Sequence, residues 1–590
     1  MMFDKQARQK LAAFFLAFAL AACASTAEQQ HRPAPQAHDA MATAANPHAV
    51  AAAQEMLREG GSAVDAAIAA EMVLGLVEPQ SSGIGGGGFL LFYNAADESI
   101  VGYDGRERAP AGATPTMFLT PNGEPMQFMD AQASGRSIGA PSLVAMLKLA
   151  HDEHGRLPWA RLFEPAIRLA DNGFEVSPRL ARMIALAGER GRLRADFQAR
   201  SYFFDADGAP RPVGYLLRNR AYGDTLRAIA AQGPSALSEG PIAEAIVAAA
   251  RRNPRGGTLM LSDLRAVQPR RVEPVCGAYR VYRVCSMGPP SSGSAVVQIL
   301  GLYERARPRP VGAADIDDWS AFLWASRVAF ADRDHYVADD RFAPVPTQQM
   351  VAPAYLDQRA QLIELQHAPP AIVEPGKPAG QDLFDRWGRV NSNDSGTTHL
   401  SIVDAWGNAV AMTATVESVF GSQRMAAGFF LNNQLTDFAF QPTLNGKPVA
   451  NAVEPGKAPR SSMSPTIITN RDGDLELVIG SPGSSAIIGY VSRATIGILD
   501  WNMPVADALA MANATARTST VNIEEQRLPA GIAAALRQRG WELRDTTGLE
   551  ESGLHAIRVT PNGLEGGADP RREGIVGRVA ASELQAAPAH

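Results

Sequence analysis

Cysteine is nearly absent, at three residues in 590, which excludes a scaffold built on disulfides. Histidine is also scarce, with ten residues scattered singly and no close Cys/His grouping, so neither a metal site nor a cofactor is expected. Positive charge is not in excess. The net charge is -6 with 20% charged and 46% hydrophobic residues, which describes an ordinary globular chain and gives nucleic acid no electrostatic footprint. The basic residues are mostly Arg, and the local clusters Arg251, Arg252 and Arg255, or Arg270 and Arg271, read as compositional bias rather than as phosphate sites. No repeat of 20 to 50 residues is visible. Length alone leaves the number of domains open.

The N-terminus carries Lys5, Arg8 and Lys10, then an apolar run from Leu11 to Ala22. A bilayer span needs about 20 residues, so this run is read as an export signal over residues 1–22. It ends in Leu20-Ala21-Ala22-Cys23, which resembles the lipobox of bacterial lipoproteins and makes Cys23 the expected lipidation site. Residues 23–45 are polar and Pro-containing and read as a flexible tether. The body of the protein is therefore expected outside the cytoplasm, on the periplasmic side, touching a bacterial membrane only through a lipid anchor. The other two cysteines, Cys276 and Cys285, flank GAYRVYRV. A two-residue turn at Arg280-Val281 would set them opposite each other on a hairpin, within disulfide reach. Arg-Val is poor turn chemistry, however, and one continuous strand would hold the sulfurs apart. Both readings stay open.

Farther along, Ser62-Ala-Val-Asp65 reads as a helix cap with apolar residues at helical spacing after it, ending near Glu78-Pro79. Phe89 to Tyr93 reads as a buried strand. Residues 140 to 270 are expected to be mostly helical, Tyr279 to Met287 a strand, Pro289 to Gly293 a loop and Ile316 to Tyr336 a long helix. From Ala368 to Asn393 the chain is rich in Pro, Gly and Asp with no sustained period, as in an exposed connector. Three strand-like runs follow at once, Thr398 to Val403, Ala409 to Thr415 and Gly428 to Leu431. This change of pattern is the clearest boundary in the sequence.

Two motifs point the wrong way. Gly83 to Gly88 satisfies G-x-G-x-x-G, but a dinucleotide site needs a strand before it and a helix after it, and here the order is reversed. Gly135-Arg-Ser137-Ile-Gly139 matches the nucleophile elbow of α/β-hydrolases, but the polar stretch from Asp130 to Ser134 does not read as the required strand.

The chemistry is carried at the boundary itself, in Ser395-Gly396-Thr397-Thr398-His399. A threonine hydroxyl is a poor nucleophile until a base takes its proton, and a Thr at a new N-terminus supplies that base as its own α-amine. The amine titrates near 8 when unperturbed, so no second catalytic side chain is needed. Around this point the sequence resembles the γ-glutamyltranspeptidase family from about Ala44 to about Arg578. The landmarks are GGSAVDAAIAA at 60–70, SSGIGGGGF at 81–89, GRERAPA at 105–111, GPPSSG at 288–293 and TTHLSIVDAWGNAVAMTAT at 397–415. They continue with FGS at 420–422, LNNQLTDF at 431–438, PRSSMSPT at 459–466, GSPGSS at 480–485 and GADPRR at 567–572.

The resemblance implies an α+β fold, the four-layer αββα sandwich of N-terminal nucleophile hydrolases. Two subunits cut from one precursor between Gly396 and Thr397 would form it as a heterodimer, a large one over 46–396 and a small catalytic one over 397–590. It implies Thr397 as nucleophile, Thr415 as the supporting hydroxyl, and the backbone N–H groups of Gly483 and Ser484 as the oxyanion hole. Arg106, Ser461 and Ser462 would take the donor α-carboxylate, an apt task for a guanidinium and two hydroxyls. Gln434 and Asp437 would take the α-ammonium. The implied donor is glutathione or a related γ-glutamyl amide, and the acceptor water, an amino acid or a peptide.

Three departures from the family pattern stand out. Glu417 replaces the usual Asn, which puts a second acid near the ammonium. Ser484 replaces the second Gly of a pair, which is tolerable if φ is permissive. The interval from Asp437 to Ser461 is short, which implies an open acceptor side. Two rivals are an acylase of the cephalosporin or glutaryl-amide kind and an inactive surface lipoprotein that keeps the fold for binding. Arg106, Gln434 and Asp437 argue against the first, and Gly396-Thr397 with Thr415 against the second.

Overall fold

In the run Gly87–Asn94, GGFLLFYN, residues Phe89 to Tyr93 are apolar or aromatic without a break, and a strand points successive side chains to opposite faces. Such a strand must be covered on both sides. In the computed structural model, which describes residues 38–387, 397–549 and 552–585, Leu90 and Phe92 enter one core while Phe89, Leu91 and Tyr93 enter another. Gly87–Asn94 belongs to a seven-stranded antiparallel sheet ordered Ile575–Val579, Ala40–Ala44, Thr398–Val403, Ala409–Thr415, Gly87–Asn94, Ser99–Gly105, Arg270–Val272. A second antiparallel sheet runs Gly563–Ala568, His555–Thr560, Leu475–Gly480, Thr466–Thr469, Tyr282–Ser286, Val275–Tyr279.

The first core lies between the first sheet and helices that include Pro47–Arg58, Ala63–Val77 and Leu143–His154. The second fills the space between the sheets and continues onto Gly293–Ala306, Ile316–Tyr336 and Ile487–Leu499. The order is helix, sheet, sheet, helix, the four-layer αββα sandwich. Segments from either side of Thr397 share both sheets: Thr398–Val403 pairs with Ala40–Ala44, and Thr466–Thr469 with Tyr282–Ser286.

The expected elements form for the expected reasons. Ser62 and Asp65 close a capping box on Ala63–Val77, satisfying two orphan N–H groups, and every residue of that helix is buried. Helices dominate 140–270, and Ile316–Tyr336 is one helix capped by Asp315. One boundary is corrected and another is decided. Residues 40–44, counted with the tether, form a fully buried inner strand, paired on one edge with Ile575–Val579 and on the other with Thr398–Val403. Tyr279 to Met287, given strand character with hairpin and continuous strand both open, begins at the end of one strand and runs through a turn into the next, Tyr282–Ser286. The turn at Arg280-Val281 sets Cys276 opposite Cys285, and they are disulfide-bonded. Arg280 takes φ +57°, which a local preference would disfavour. Tertiary contacts hold it there: its guanidinium bonds Asp500 Oδ2 at 2.9 Å and the Arg307 carbonyl at 2.7 Å.

Cys23, the tether up to Ala37, and Gly396 lie outside the described residues. Among those described, no helix is long and apolar enough to cross a membrane.

Candidate active site

Thr397 immediately precedes the strand Thr398–Val403, and Thr415 ends the neighbouring strand, in a register that pairs Thr398 with Ala414. The two threonines are thereby delivered to the same end of the first sheet. Thr397 Oγ1 donates to Thr415 Oγ1 at 3.3 Å, and the Glu417 amide donates to that same Thr415 oxygen at 2.8 Å. The Gly-rich segment makes the approach fit. A Cβ on Gly86 would stand 2.0 Å from the Thr415 carbonyl oxygen, and one on Gly85 2.0 Å from that of Phe430. These glycines serve close backbone packing; with a helix before and a strand after, the dinucleotide reading is excluded.

A small cavity is lined by Thr397, Thr415, Arg106, Glu417, Gln434, Asp437, Ser461, Ser462 and Ser484, with Met463 and Ile487. Residues expected from scattered motifs thus meet in one place. Gly483 immediately precedes Ser484 at the start of the turn that leads into the helix Ile487–Leu499. Ser484 holds φ +60°, so the serine adopts the left-handed backbone that a glycine would take more readily, at a cost of roughly 1–2 kcal/mol.

Ser461 and Ser462 are fixed from behind. Ser292 Oγ donates to the Ser461 carbonyl at 2.5 Å, Ser291 Oγ to that of Met463 at 2.6 Å, and the Ser461 amide to the Pro290 carbonyl at 2.8 Å. This is the task of the GPPSSG loop. Arg333 Nη2 donates to Ser462 Oγ at 2.6 Å; with that oxygen occupied as an acceptor, the hydroxyl proton is directed elsewhere. Arg333 is itself paired with Asp334, whose carboxyl burial would raise but which Arg517, Arg460 and Arg333 hold far below the usual carboxylate range.

At the other end, Asp437 Oδ2 accepts from Gln434 Nε2 at 2.7 Å and from Arg106 Nη2 at 2.5 Å. Arg106 and Asp437, assigned to opposite ends of a donor, are thus ion-paired with each other. Glu417 lines the same cavity, and its Oε2 accepts from Ser418 Oγ and Asn433 Nδ2. Its backbone sits at φ +81°, a strained value of the kind that collects at functional loops. Beneath the site, burial pushes the Glu107 carboxyl up to about 8. It also lowers the His399 imidazole well below its ordinary range and that of His555 to about 4.

Several partners escaped sequence reasoning. Asn433 anchors Glu417 and the Ser418 amide, and Arg572 Nη1 donates to the Thr397 carbonyl at 2.9 Å. Both sit inside quoted motifs, LNNQLTDF and GADPRR, which was the available signal; Arg333 sits in none. Ser137, the serine of the false elbow, donates to the carbonyls of Gln132 and Ser134 and is buried in a short turn.

The γ-glutamyltranspeptidase sequence profile matches residues 49–579. The chain belongs to the γ-glutamyltranspeptidase family. Among its relatives, the glutathione hydrolase proenzyme of Escherichia coli K12 is 36% identical over 535 residues, covering 88% of each chain. That of Bacillus subtilis strain 168 is 31% identical over 91% of each. Among solved structures, a cephalosporin acylase from Bacillus halodurans superposes with a TM-score of 0.78 at 25% identity, over 94% of this chain and 99% of that one. The γ-glutamyltranspeptidase of Helicobacter pylori gives 0.54 at 32% identity, over 56% and 94%. Family membership therefore accounts for the motif order, and both structures for the sandwich.

Proposed function

We propose that the chain is a γ-glutamyl hydrolase and transferase that acts on glutathione or a related γ-glutamyl amide after cutting itself between Gly396 and Thr397. Before cleavage the Thr397 nitrogen is an amide and cannot act as a base, so the hydroxyl first attacks the Gly396 carbonyl; Gly396 has no β-carbon to obstruct that geometry. Cleavage frees the α-amine. It then takes the Oγ1 proton as Oγ1 attacks the donor's γ-carbonyl, with Thr415 orienting the hydroxyl. Charge on the attacked oxygen is met by the backbone N–H groups of Gly483 and Ser484. Arg106, Ser461 and Ser462 hold the donor α-carboxylate, and Asp437, Gln434 and Glu417 its α-ammonium. Water or an amine then takes the acyl group from Thr397.

The observation that carries this reading is the single cavity in which Thr397 Oγ1 lies 3.3 Å from Thr415 Oγ1, beside Arg106, Asp437 and the serine pair. The name glutathione hydrolase proenzyme, borne by the relatives above, fits both the substrate and the self-cutting. The two products are the large subunit ending at Gly396 and the small one of 397–590. Export by residues 1–22 and lipidation at Cys23 put the enzyme on the periplasmic side.

A second reading, a glutaryl-type acylase, is favoured by the likeness to the cephalosporin acylase over nearly the whole chain. The deciding experiment incubates cleaved protein with glutathione, with and without a dipeptide, and in parallel with a glutaryl amide. Release of glutamate, accelerated by the dipeptide, is expected. Preferential cleavage of the glutaryl amide would replace the first reading with the second.

A further inference from the structure

Arg572 touches the residue proposed as nucleophile from a part of the chain 175 positions away: its Nη1 donates to the Thr397 carbonyl at 2.9 Å. The contact is built rather than incidental. Arg572 Nε donates to the Ser552 carbonyl at 2.9 Å, and Gly553 packs so closely that a Cβ there would meet Arg572 Cδ at 2.7 Å. The guanidinium therefore has its position fixed by two carbonyls and a glycine.

From this geometry we infer that Arg572 is a positioning residue for catalysis, which fixes the Thr397 backbone and keeps the freed α-amine in its neutral, proton-accepting form. The inference rests on Thr397 being the N-terminal nucleophile. The carbonyl that Arg572 grips belongs to the same residue as the amine, so the cation stands within a few ångströms of the nitrogen. A nearby positive charge disfavours a second one, so the ammonium form is the one penalised. An amine that titrates near 8 alone would be protonated in good part at neutral pH, and a protonated amine cannot take the Oγ1 proton.

Other charged and titratable groups surround this end of the pocket. Glu417, on the loop after the neighbouring strand, is a negative charge but is held by Ser418 and Asn433. Arg106 and Asp437 are paired with each other. Glu78 feels the charge of Arg572 and belongs to a cluster in which Arg179 Nη1 stands 3.2 Å from Glu78 Oε2 and the Arg179 amide donates to Glu573 Oε1 at 2.8 Å. Asp569 is paired with Arg571. Burial keeps His399 and His555 neutral near pH 7. Among them Arg572 is bonded directly to Thr397, through the carbonyl.

The test is the acid limb of kcat/KM against pH, measured with a γ-glutamyl anilide on fully cleaved wild type, Arg572→Lys and Arg572→Gln, beside Thr397→Ala. The wild-type limb is expected clearly below 8. Arg572→Gln should move it up by about half to one pH unit, while Arg572→Lys, which keeps the cation, should hold it near the wild-type position. A limb unmoved in Arg572→Gln, whether or not the rate falls, would overturn the inference and leave a structural contact. Should Arg572→Gln fail to fold or cleave, a wild-type limb at or above 8 would overturn it by itself. Turnover by Thr397→Ala would overturn the nucleophile reading and this inference together; an inactive Thr397→Ala with an unmoved limb would overturn this inference alone.

Discussion

Arg106 Nη2 and Asp437 Oδ2 meet at 2.5 Å across 331 positions of sequence, with side chains only 1% and 6% exposed. An α-amino acid carries a carboxylate and an ammonium on one carbon, so a receptor for it needs a cation and an anion side by side. This buried pair has that form. Each charge offsets the other inside the protein, where an isolated charge would be costly, and on the function proposed above a donor displaces the contact with its own two charges.

Asp437→Ala is therefore expected to weaken glutamyl donors by well over tenfold, since losing one partner of a desolvated pair costs about 2 to 5 kcal/mol. Glu417→Gln should do less, because Asp437 and Gln434 remain. Steady-state kinetics with glutamyl and glutaryl amides in parallel will check this. Equal losses on both substrates would disconnect these acids from the α-ammonium.

Thr397→Ala should abolish both precursor cleavage and turnover, and Thr397→Ser should retain some of each because a hydroxyl remains. N-terminal sequencing of the smaller band gives the site directly. A start at Thr398, or an active uncut chain, would show that the nucleophile has been misassigned. Thr415→Val, which removes the hydroxyl 3.3 Å from Thr397 Oγ1, should lower turnover roughly tenfold to a hundredfold, about 1.4 to 2.7 kcal/mol in the barrier.

Gly86→Ala tests the packing that presents Thr415. The added methyl meets the Thr415 carbonyl at 2.0 Å, a backbone atom with little room to move. A cost of about 1–3 kcal/mol is expected, seen as a lower Tm, together with a fall in kcat as Thr415 is displaced. Unchanged melting and kinetics would contradict the close approach.

Stability should fall with acid below about pH 6.5. His555 titrates near 4 when folded and near 6.5 when unfolded, so between those values the unfolded chain binds the extra proton. Stability is lost as pH falls through that window, by up to about 3 kcal/mol for this residue. His555→Asn, compared with wild type by denaturant titration at pH 7 and pH 4.5, should reduce the difference between the two pH values. An equal difference in both proteins would place the acid sensitivity elsewhere.

The sequence by itself determined what local patterning and motif order encode. The apolar run of Phe89 to Tyr93, the Ser62 and Asp65 cap, and the switch from connector to strands at Thr397 follow from side-chain patterning and hydrogen-bonding chemistry within a few residues. The ordered family motifs supplied the residues proposed as nucleophile and donor-binding groups. Tertiary structure alone decided which groups touch. Whether Cys276 faced Cys285 depended on Arg280 holding a disfavoured backbone, and Asp500, 220 positions away, supplies the reason that it does. The pairing of Arg106 with Asp437, the grip of Arg333 on Ser462 and of Arg572 on Thr397, and the turning of Glu417 toward Asn433 are likewise long-range contacts or loop geometry. No window of sequence contains both partners of such a contact, so their energies were settled only when two sheets and their helices closed around one cavity.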